Sequence, residues 1–291
     1  MPTVHVPALS LLHALILGFI QGATEFLPVS STAHMRIIPA LLGWVDPGTA
    51  FSAIVQLGPI VAIIAYFRKD LARYVAGIMR SFKKGYIFPK GDVDARLGWY
   101  TVFGTIPLAI FGLLLEHKIK SEYRNLYFVA GALIILAVIL LIAEIIGRKK
   151  RELEDLTLRE AMIIGLAQAL AIVPGASRSG TTITAGLFLG LNREAAARFS
   201  FLLSIPAITL AGLYEFYKDV IKTHAAIHHV VVPFLAATVF AGVIAWLVVN
   251  WLLKYLENDK NTTIPFVVYR ILLGVALLYL VHTGFVVPES K

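Results

Sequence analysis

Long apolar segments alternate with short polar ones along most of the chain. An α-helix of about 20 apolar residues matches the hydrocarbon thickness of a bilayer. Six such runs predict membrane-spanning helices, at residues 50–67, 98–115, 126–146, 198–217, 231–253 and 264–285. A β-barrel would show alternating segments of roughly ten residues instead. The pattern therefore predicts an all-α polytopic membrane protein.

Two further apolar regions, 9–42 and 159–191, are interrupted in the middle by proline, glycine and hydroxyl residues. The interruptions read FLPVSST and IVPGASRSGTT, and the arms beside them are too short to cross a bilayer. Open backbone at membrane depth is tolerated where protein or a water-filled cavity shields it. We therefore predict two re-entrant helical hairpins.

The two interrupted regions look like copies of one unit. Residues recur at one constant offset: Gly18 as Gly165, Gln21 as Gln168 and Ser30 as Ser177. Each copy continues with three spans, an odd number, so the second copy is expected to be inverted. Inverted repeats with broken helices place a polar site near the membrane midplane. The predicted halves, within one membrane domain, are residues 1–146 and 147–291.

The composition supports the membrane assignment and affects how the positive net charge is interpreted. Of the 291 residues, 58% are hydrophobic and 15% are charged, and the mean hydropathy is +0.79. The net charge is +8, but the basic residues lie mainly in loops beside spans. Membrane lipids, rather than nucleic acid, are therefore the expected partners. The absence of cysteine excludes disulfides, thiol catalysis and thiolate metal sites.

Lysine and arginine are concentrated on one side of the predicted topology, in the loops at 68–97, 147–159, 192–198 and 254–263. By the positive-inside rule this side faces the cytoplasm. The first hairpin then enters from outside, the second enters from the cytoplasm, and both termini lie outside. The hairpin tips are expected to meet within the membrane, in a site that opens to the outer side.

The first interruption places a carboxylate beside an apolar arm. Gln21 and Glu25 are spaced i, i+4 and share a helix face. An acid at that depth is costly and is a functional candidate, although a structurally paired glutamate is the alternative. Hydroxyl groups and an imidazole follow, in Ser30, Ser31, Thr32 and His34. Simple helix capping and a structural histidine are the alternatives for these residues.

The second interruption, at 174–182, adds a fixed positive charge. Arg178 at membrane depth needs an anion, and the planar guanidinium suits phosphate. Ser177, Ser179 and Thr182 add hydroxyl groups around it. Two opposed helix N-termini and an arginine together favour a phosphate or diphosphate cradle. The P-loop pattern GxxxxGK[ST] does not occur.

The stretches QGATEFLPVSSTAH and PGASRSGTT resemble the two signature motifs of the undecaprenyl-diphosphate phosphatase family linked to bacitracin resistance. That family is described by (E/Q)xxxE with a following Ser/His segment, and by PGxSRSxxT. The resemblance covers nearly the whole chain. It implies hydrolysis of undecaprenyl diphosphate to undecaprenyl phosphate and inorganic phosphate in the bacterial cytoplasmic membrane. That reaction recycles the carrier lipid for peptidoglycan synthesis.

The resemblance also implies roles for individual residues. The residues expected to be catalytic are Glu25, Ser31, His34 and Arg178. Gln21, Ser177 and Thr182 match further motif positions, and with the neighbouring hydroxyl groups of Ser30, Thr32 and Ser179 they form the predicted substrate-binding set. A divalent cation, Mg²⁺ or Ca²⁺, is implied, with Glu25 as candidate metal ligand, but glutamine at position 21 removes one carboxylate. A polyprenyl diphosphate lipid is the expected partner, and a homodimer is left open.

Two mechanisms use the same residues. Ser31 attacks after activation by His34 or Glu25, giving a phospho-enzyme, or Glu25 and His34 activate water directly. Arg178 and the N–H groups of the tips neutralise the phosphates in both. A transporter or lipid flippase with the same midplane site is the rival function, because broken inverted repeats are common in transporters. A structural membrane scaffold is a third alternative.

Overall fold

A computed structural model of the protein describes residues 9–85, 87, 91–114, 125–216 and 231–287. The helices of these residues are α1 (Leu11–Thr24), α2 (Ser31–Leu42), α3 (Gly48–Val55), α4 (Leu57–Tyr66), α5 (Arg68–Lys83), α6 (Val93–Leu114), α7 (Leu126–Ile146), α8 (Leu158–Ala169), α9 (Arg178–Phe188), α10 (Arg193–Phe216), α11 (Val231–Glu257) and α12 (Ile264–His282). Single 3₁₀ turns cover Leu153–Asp155 and Leu170–Ile172. The described residues contain no β-strand, which agrees with the predicted all-α class.

Five helices are long and apolar enough to cross a membrane: α6, α7, α10, α11 and α12. The segment from α3 to α5 is a sixth candidate, and it is bent by 77° between Tyr66 and Arg68. The protein is thus a polytopic helical membrane protein with five to six candidate spans. The loops at 115–124 and 217–230, predicted on the side poor in basic residues, lie outside the described residues, as do both termini.

Both interrupted regions form two helices joined by a break, as the sequence predicts. In the first, α1 ends at Thr24 and α2 begins at Ser31. In the second, α8 and its 3₁₀ turn are followed by α9, which begins at Arg178. Ser30 and Ser177 are the N-caps of α2 and α9, and each side-chain oxygen accepts a hydrogen bond from an N–H three residues later. The breaks therefore end in capped helix N-termini.

The predicted span at 50–67 is not one straight helix. α3 ends at Val55, α4 begins at Leu57, and Gln56 lies between them. Pro59 explains the interruption, because it has no N–H to donate to the carbonyl of Val55 four residues earlier. The side chain of Gln56, at this interruption, donates a hydrogen bond to the carboxylate of Glu25 at 3.0 Å.

The region 68–97, predicted as a loop, instead contains α5 and the first turn of α6. That prediction was wrong because the density of charge concealed a helical period. Tyr74, Gly77 and Ser81 are buried, and α5 packs against α6. The charged residues of α5 occupy its remaining faces, so the helix is amphipathic rather than apolar.

The predicted loop at 192–198 is also mostly helical, since α10 begins at Arg193. A part-buried ion pair lies at this helix start. Glu144 of α7 accepts hydrogen bonds from Arg193 at 2.5 and 2.9 Å and from the hydroxyl of Thr263 at 2.8 Å. The contact joins three spans at the end of the bundle that carries the basic loops.

The first helix of each interrupted region packs closely on a span from the other half of the sequence. α1 packs on α11, and α8 packs on α6. Glycines permit the approach: a Cβ at Gly18 would lie 2.6 Å from the carbonyl oxygen of Ala237, and one at Gly165 would lie 2.2 Å from that of Gly104. The matching glycines found in the sequence therefore share one packing role.

Gly165→Ala is expected to destabilise the protein by about 1–3 kcal/mol, because the added methyl group forces α8 away from the backbone of α6. Gly112→Ala is the matched control, since a Cβ there meets nothing within 4 Å. Alanine favours a helix over glycine, so the control should hold or raise stability. Unfolding of the purified proteins in detergent measures the difference, and equal midpoints for the two variants would contradict close packing at Gly165.

Candidate active site

The carboxylate of Glu25 is the centre of a buried polar cluster. Its Oε2 accepts hydrogen bonds from Gln21 at 2.6 Å and from the hydroxyl of Ser31 at 2.7 Å. Its Oε1 accepts from Gln56 at 3.0 Å and from the guanidinium of Arg178 at 2.8 Å. Only 5% of Glu25 is exposed. Four donors from separate chain positions thus replace the water that an ionised carboxylate would otherwise need.

Local conformation places Ser31 at the cluster. Gln21 lies one turn before Glu25 at the end of α1, so the two side chains share a face. Ser30 then turns the chain with φ 73°, a conformation that non-glycine residues rarely adopt. Its hydroxyl caps α2, and Ser31 becomes the first residue of that helix. The hydroxyl of Ser31 therefore lies at a positive helix N-terminus and donates to a carboxylate.

The second break repeats this geometry with different chemistry. Ser177 has φ 67° and caps α9 through the N–H of Gly180 at 3.1 Å. Arg178 is the first residue of α9, the position that Ser31 occupies in α2. The two helix N-termini thus present a hydroxyl and a guanidinium to one carboxylate.

The two breaks also contact each other directly. The hydroxyl of Ser179 donates to the carbonyl of Leu27 at 2.9 Å, and the N–H of Gly175 donates to the hydroxyl of Thr32 at 3.4 Å. These contacts join residues that lie about half the chain apart in sequence. The expected meeting of the two tips is what the structure shows.

A cavity of about 170 Å³ opens at the cluster. Its polar lining consists of Glu25, Ser30, Ser31, Thr32, Gln56, Ser177 and Arg178. Apolar side chains from α6 and α10, including Leu108 and Ile208, complete the wall. A volume of this size holds several water molecules or a polar group of similar bulk. Hydroxyl groups, helix N-termini and an arginine around it form an anion-binding environment.

His34 is close in sequence to the cluster but bonds elsewhere. Its Nδ1 lies 2.8 Å from the carbonyl oxygen of Ser30, and its Nε2 lies 2.5 Å from the hydroxyl of Tyr269. Because a carbonyl only accepts, Nδ1 carries the proton in the neutral ring, and Nε2 accepts from the tyrosine. The hydroxyl of Ser31 bonds to Glu25 and not to this imidazole.

The remaining predicted binding residues divide into two groups. Ser30, Thr32 and Ser177 line the cavity. Ser179 and Thr182 are buried behind it: Ser179 bonds to the opposite break, and Thr182 lies 2.6 Å from the hydroxyl of Ser200. Their positions indicate support of the tips rather than direct contact with a ligand.

Tyr269 and Arg270 of α12 touch the site region and were missed by the sequence analysis. Tyr269 holds His34, and Arg270 donates to carbonyl groups of both breaks. The sequence does contain a signal for Arg270, because an arginine inside the apolar run 264–285 is itself a functional candidate. Nothing in the sequence near Tyr269 distinguishes it from other aromatic residues of a span.

The residues around the cavity do not fit a resident metal ion. Within the part of the chain that is described, no three histidine or acidic side chains form a group that could hold one. Glu25 is the carboxylate of the lining, and each of its oxygens already accepts two hydrogen bonds. Mg²⁺ and Ca²⁺ sites need several oxygen ligands, with water or substrate phosphate completing the shell. The glutamine at position 21 supplies a donor where a second acid would supply a ligand.

Comparison with known proteins identifies the family of the chain. Residues 14–276 match the family described as bacitracin resistance protein BacA. The undecaprenyl-diphosphatase of Pelodictyon phaeoclathratiforme is 49% identical over 96% of this chain and 100% of its own length. That of Myxococcus xanthus is 48% identical over 97% of this chain and 93% of its own. The chain therefore belongs to the bacitracin resistance protein BacA family.

Proposed function

We propose that the protein hydrolyses undecaprenyl diphosphate to undecaprenyl phosphate and inorganic phosphate. The observation that carries the proposal is the contact of Ser31 and Arg178, each at a helix N-terminus, with the single carboxylate of Glu25. A nucleophile, a proton acceptor and an anion-binding cation are thereby assembled beside one cavity. Relatives that share nearly half of the sequence carry the name undecaprenyl-diphosphatase.

The proposed first step is attack by the Ser31 Oγ on the terminal phosphorus. The Oγ–P bond forms while the bridging P–O bond breaks, and undecaprenyl phosphate leaves. The proton of the hydroxyl passes to Glu25, to which it is already directed over 2.7 Å. Water then attacks the phosphoserine, releases phosphate and restores Ser31.

Arg178 and the two helix N-termini bind the phosphate oxygens. One Nη of Arg178 donates to Glu25. Among the described residues, its other N–H groups have no recorded hydrogen-bond acceptor and suit a phosphate. Donors fixed in place within a cavity stabilise the developing charge without reorganisation. In the direct-water variant, Glu25 activates water and Ser31 only binds the phosphate.

Glu25, rather than His34, is the proposed base. The ring nitrogens of His34 are directed at Ser30 and Tyr269, whereas Ser31 donates to the carboxylate. His34, predicted from the sequence as catalytic, is proposed instead as a positioning residue that holds the carbonyl of Ser30 and thus the first turn of α2.

We further propose the architecture of six spans and two re-entrant hairpins, in inverted halves at 1–146 and 147–291. Matching strained N-caps at Ser30 and Ser177 support a repeat, as does the matching glycine packing of α1 and α8. Because one chain supplies the whole cluster, a homodimer is not needed for the chemistry.

The proposed orientation places the cavity toward the outer side of the bacterial cytoplasmic membrane, with both termini outside. α6 and α10 each begin at the end that carries the basic loops, and that end should face the cytoplasm. Their cavity residues, Leu108 and Ala211, lie in the later half of each helix. The site therefore lies toward the opposite face.

Release of phosphate from undecaprenyl diphosphate by the purified protein distinguishes hydrolysis from transport. We expect equal amounts of phosphate and undecaprenyl phosphate from the native chain, and none from Glu25→Gln, which lacks the proton acceptor. Glu257→Gln changes an exposed glutamate and is the control. If the folded native protein releases no phosphate, a transporter or flippase becomes the better interpretation.

Ser31→Ala separates covalent catalysis from direct attack by water. Loss of a nucleophile should lower kcat by roughly a thousandfold or more. Ser204→Ala, which removes another buried hydroxyl whose recorded bond is to the carbonyl of Phe201, should leave kcat near the native value. Steady-state phosphate release measures both, and a Ser31→Ala variant with most of the native turnover would exclude the phosphoserine.

The dependence of the activity on a divalent cation remains a prediction. The side chains that line the cavity allow a specific expectation for the affinity. The protein alone should bind Mg²⁺ or Ca²⁺ no tighter than about millimolar, the range of sites with few charged ligands. Gln21→Glu places a second carboxylate beside Glu25 and should create measurable affinity. Calorimetry without lipid diphosphate tests both proteins, and micromolar binding by the native chain would show a resident site.

A further inference from the structure

Arg270 lies in the middle of α12 and is fully buried. Its guanidinium donates to the carbonyl groups of Gly175 at 3.2 Å and Ala176 at 3.0 Å, which precede Ser177 in the second break. It also reaches the carbonyl of Pro28 in the first break, at 3.5 Å. A further contact at 3.4 Å leads to Ala132 of α7. One side chain thus touches both breaks and a neighbouring span.

The charge of Arg270 has no acidic partner within ion-pair distance among the described residues. Its recorded acceptors are all backbone carbonyls, and its Nε has none. Glu25 and Arg178 neutralise each other, and the neutral form of His34 adds no charge. The cluster without Arg270 is therefore neutral, and with it the net charge is positive.

An unpaired cation at this depth is expensive, so a purely structural role could be served better by apolar packing. We propose that Arg270 is a positioning residue that holds the two breaks in register and gives the diphosphate site its positive charge. This inference rests on the proposed function. In this proposal α12 determines the position of Ser31 relative to Arg178, because the carbonyl groups that Arg270 binds lie just before the two N-caps.

The two parts of this role are separable by substitution. Arg270→Lys keeps the charge but loses the planar fork that reaches several carbonyls. Misplacement of the tips should then lower kcat on the order of a hundredfold, while the affinity for inorganic pyrophosphate stays close to native. Arg270→Gln loses the charge as well, and should weaken pyrophosphate binding by about tenfold or more. A common structural defect would not split kcat from anion affinity in this way.

Arg193→Lys and Arg193→Gln are the matched controls, because Arg193 is another mostly inaccessible arginine but pairs with Glu144 at the other end of the bundle. They should lower the thermal midpoint in detergent and leave kcat and pyrophosphate affinity unchanged. Gly180→Ala gives a second test: its Cβ would lie 2.6 Å from Nη1 of Arg270, against 3.1 Å from Ser177, and would displace the guanidinium without changing its charge. We expect it to lower kcat with near-native pyrophosphate affinity.

The measurements are kcat and KM with undecaprenyl diphosphate, calorimetry with pyrophosphate, and thermal midpoints. Arg270 variants that fold and keep native kcat and pyrophosphate affinity would overturn the proposal. If neither Arg270 variant folds, native kcat/KM in Gly180→Ala overturns it. If the native protein releases no phosphate, the proposed hydrolysis fails, yet unequal pyrophosphate affinity of Arg270→Lys and Arg270→Gln still supports the charge role, and equal affinity refutes it.

Discussion

A carboxylate in the interior of a membrane protein needs other polar groups to take the place of water. Glu25 meets this requirement through two amides, a hydroxyl and a guanidinium. The donors come from α1, the start of α2, the break before α4, and the start of α9. These four chain positions meet at one side chain. The helix breaks and the close glycine packing of α1 and α8 hold the donors where they reach it.

The conformations of Ser30 and Ser177 show how the tips are aimed. Each serine has a positive φ, which costs a non-glycine residue roughly 1–3 kcal/mol. Glycine would relieve that strain but would lose the oxygen that caps the next helix. Because serine turns the chain and caps the helix together, the following residue becomes the first helical one. Ser31 and Arg178 thereby acquire their positions at the cavity.

The sequence predicted those parts of the site that depend on local patterns. Hydrophobic runs located the spans, proline and glycine located the breaks, and the i, i+4 spacing paired Gln21 with Glu25. His34 shows the limit, because its ring direction is decided by Tyr269, which lies 235 residues away. Such a long-range contact leaves no local signal.

The sequence analysis missed the helix α5 and the role of Arg270, for different physical reasons. The helical period of α5 was concealed by the density of charged residues outside its buried face. Arg270 did carry a signal, a single charge inside an apolar run, but its partners are backbone carbonyls of distant breaks. Every residue type carries the same backbone carbonyl group. No sequence pattern therefore indicates which carbonyls accept hydrogen bonds from Arg270.

The two breaks share a backbone plan but divide the chemistry. At the offset that relates Ser30 to Ser177, Glu25 corresponds to Ile172, and Ser31 corresponds to Arg178. Ile172 lines the same cavity and presents an apolar surface where the first break presents an acid. A second glutamate there would add a like charge to a small cavity and oppose anion binding. The two breaks thus differ in chemistry, with the hydroxyl of Ser31 and the carboxylate of Glu25 on one and the guanidinium of Arg178 on the other, and together they line one cavity rather than two.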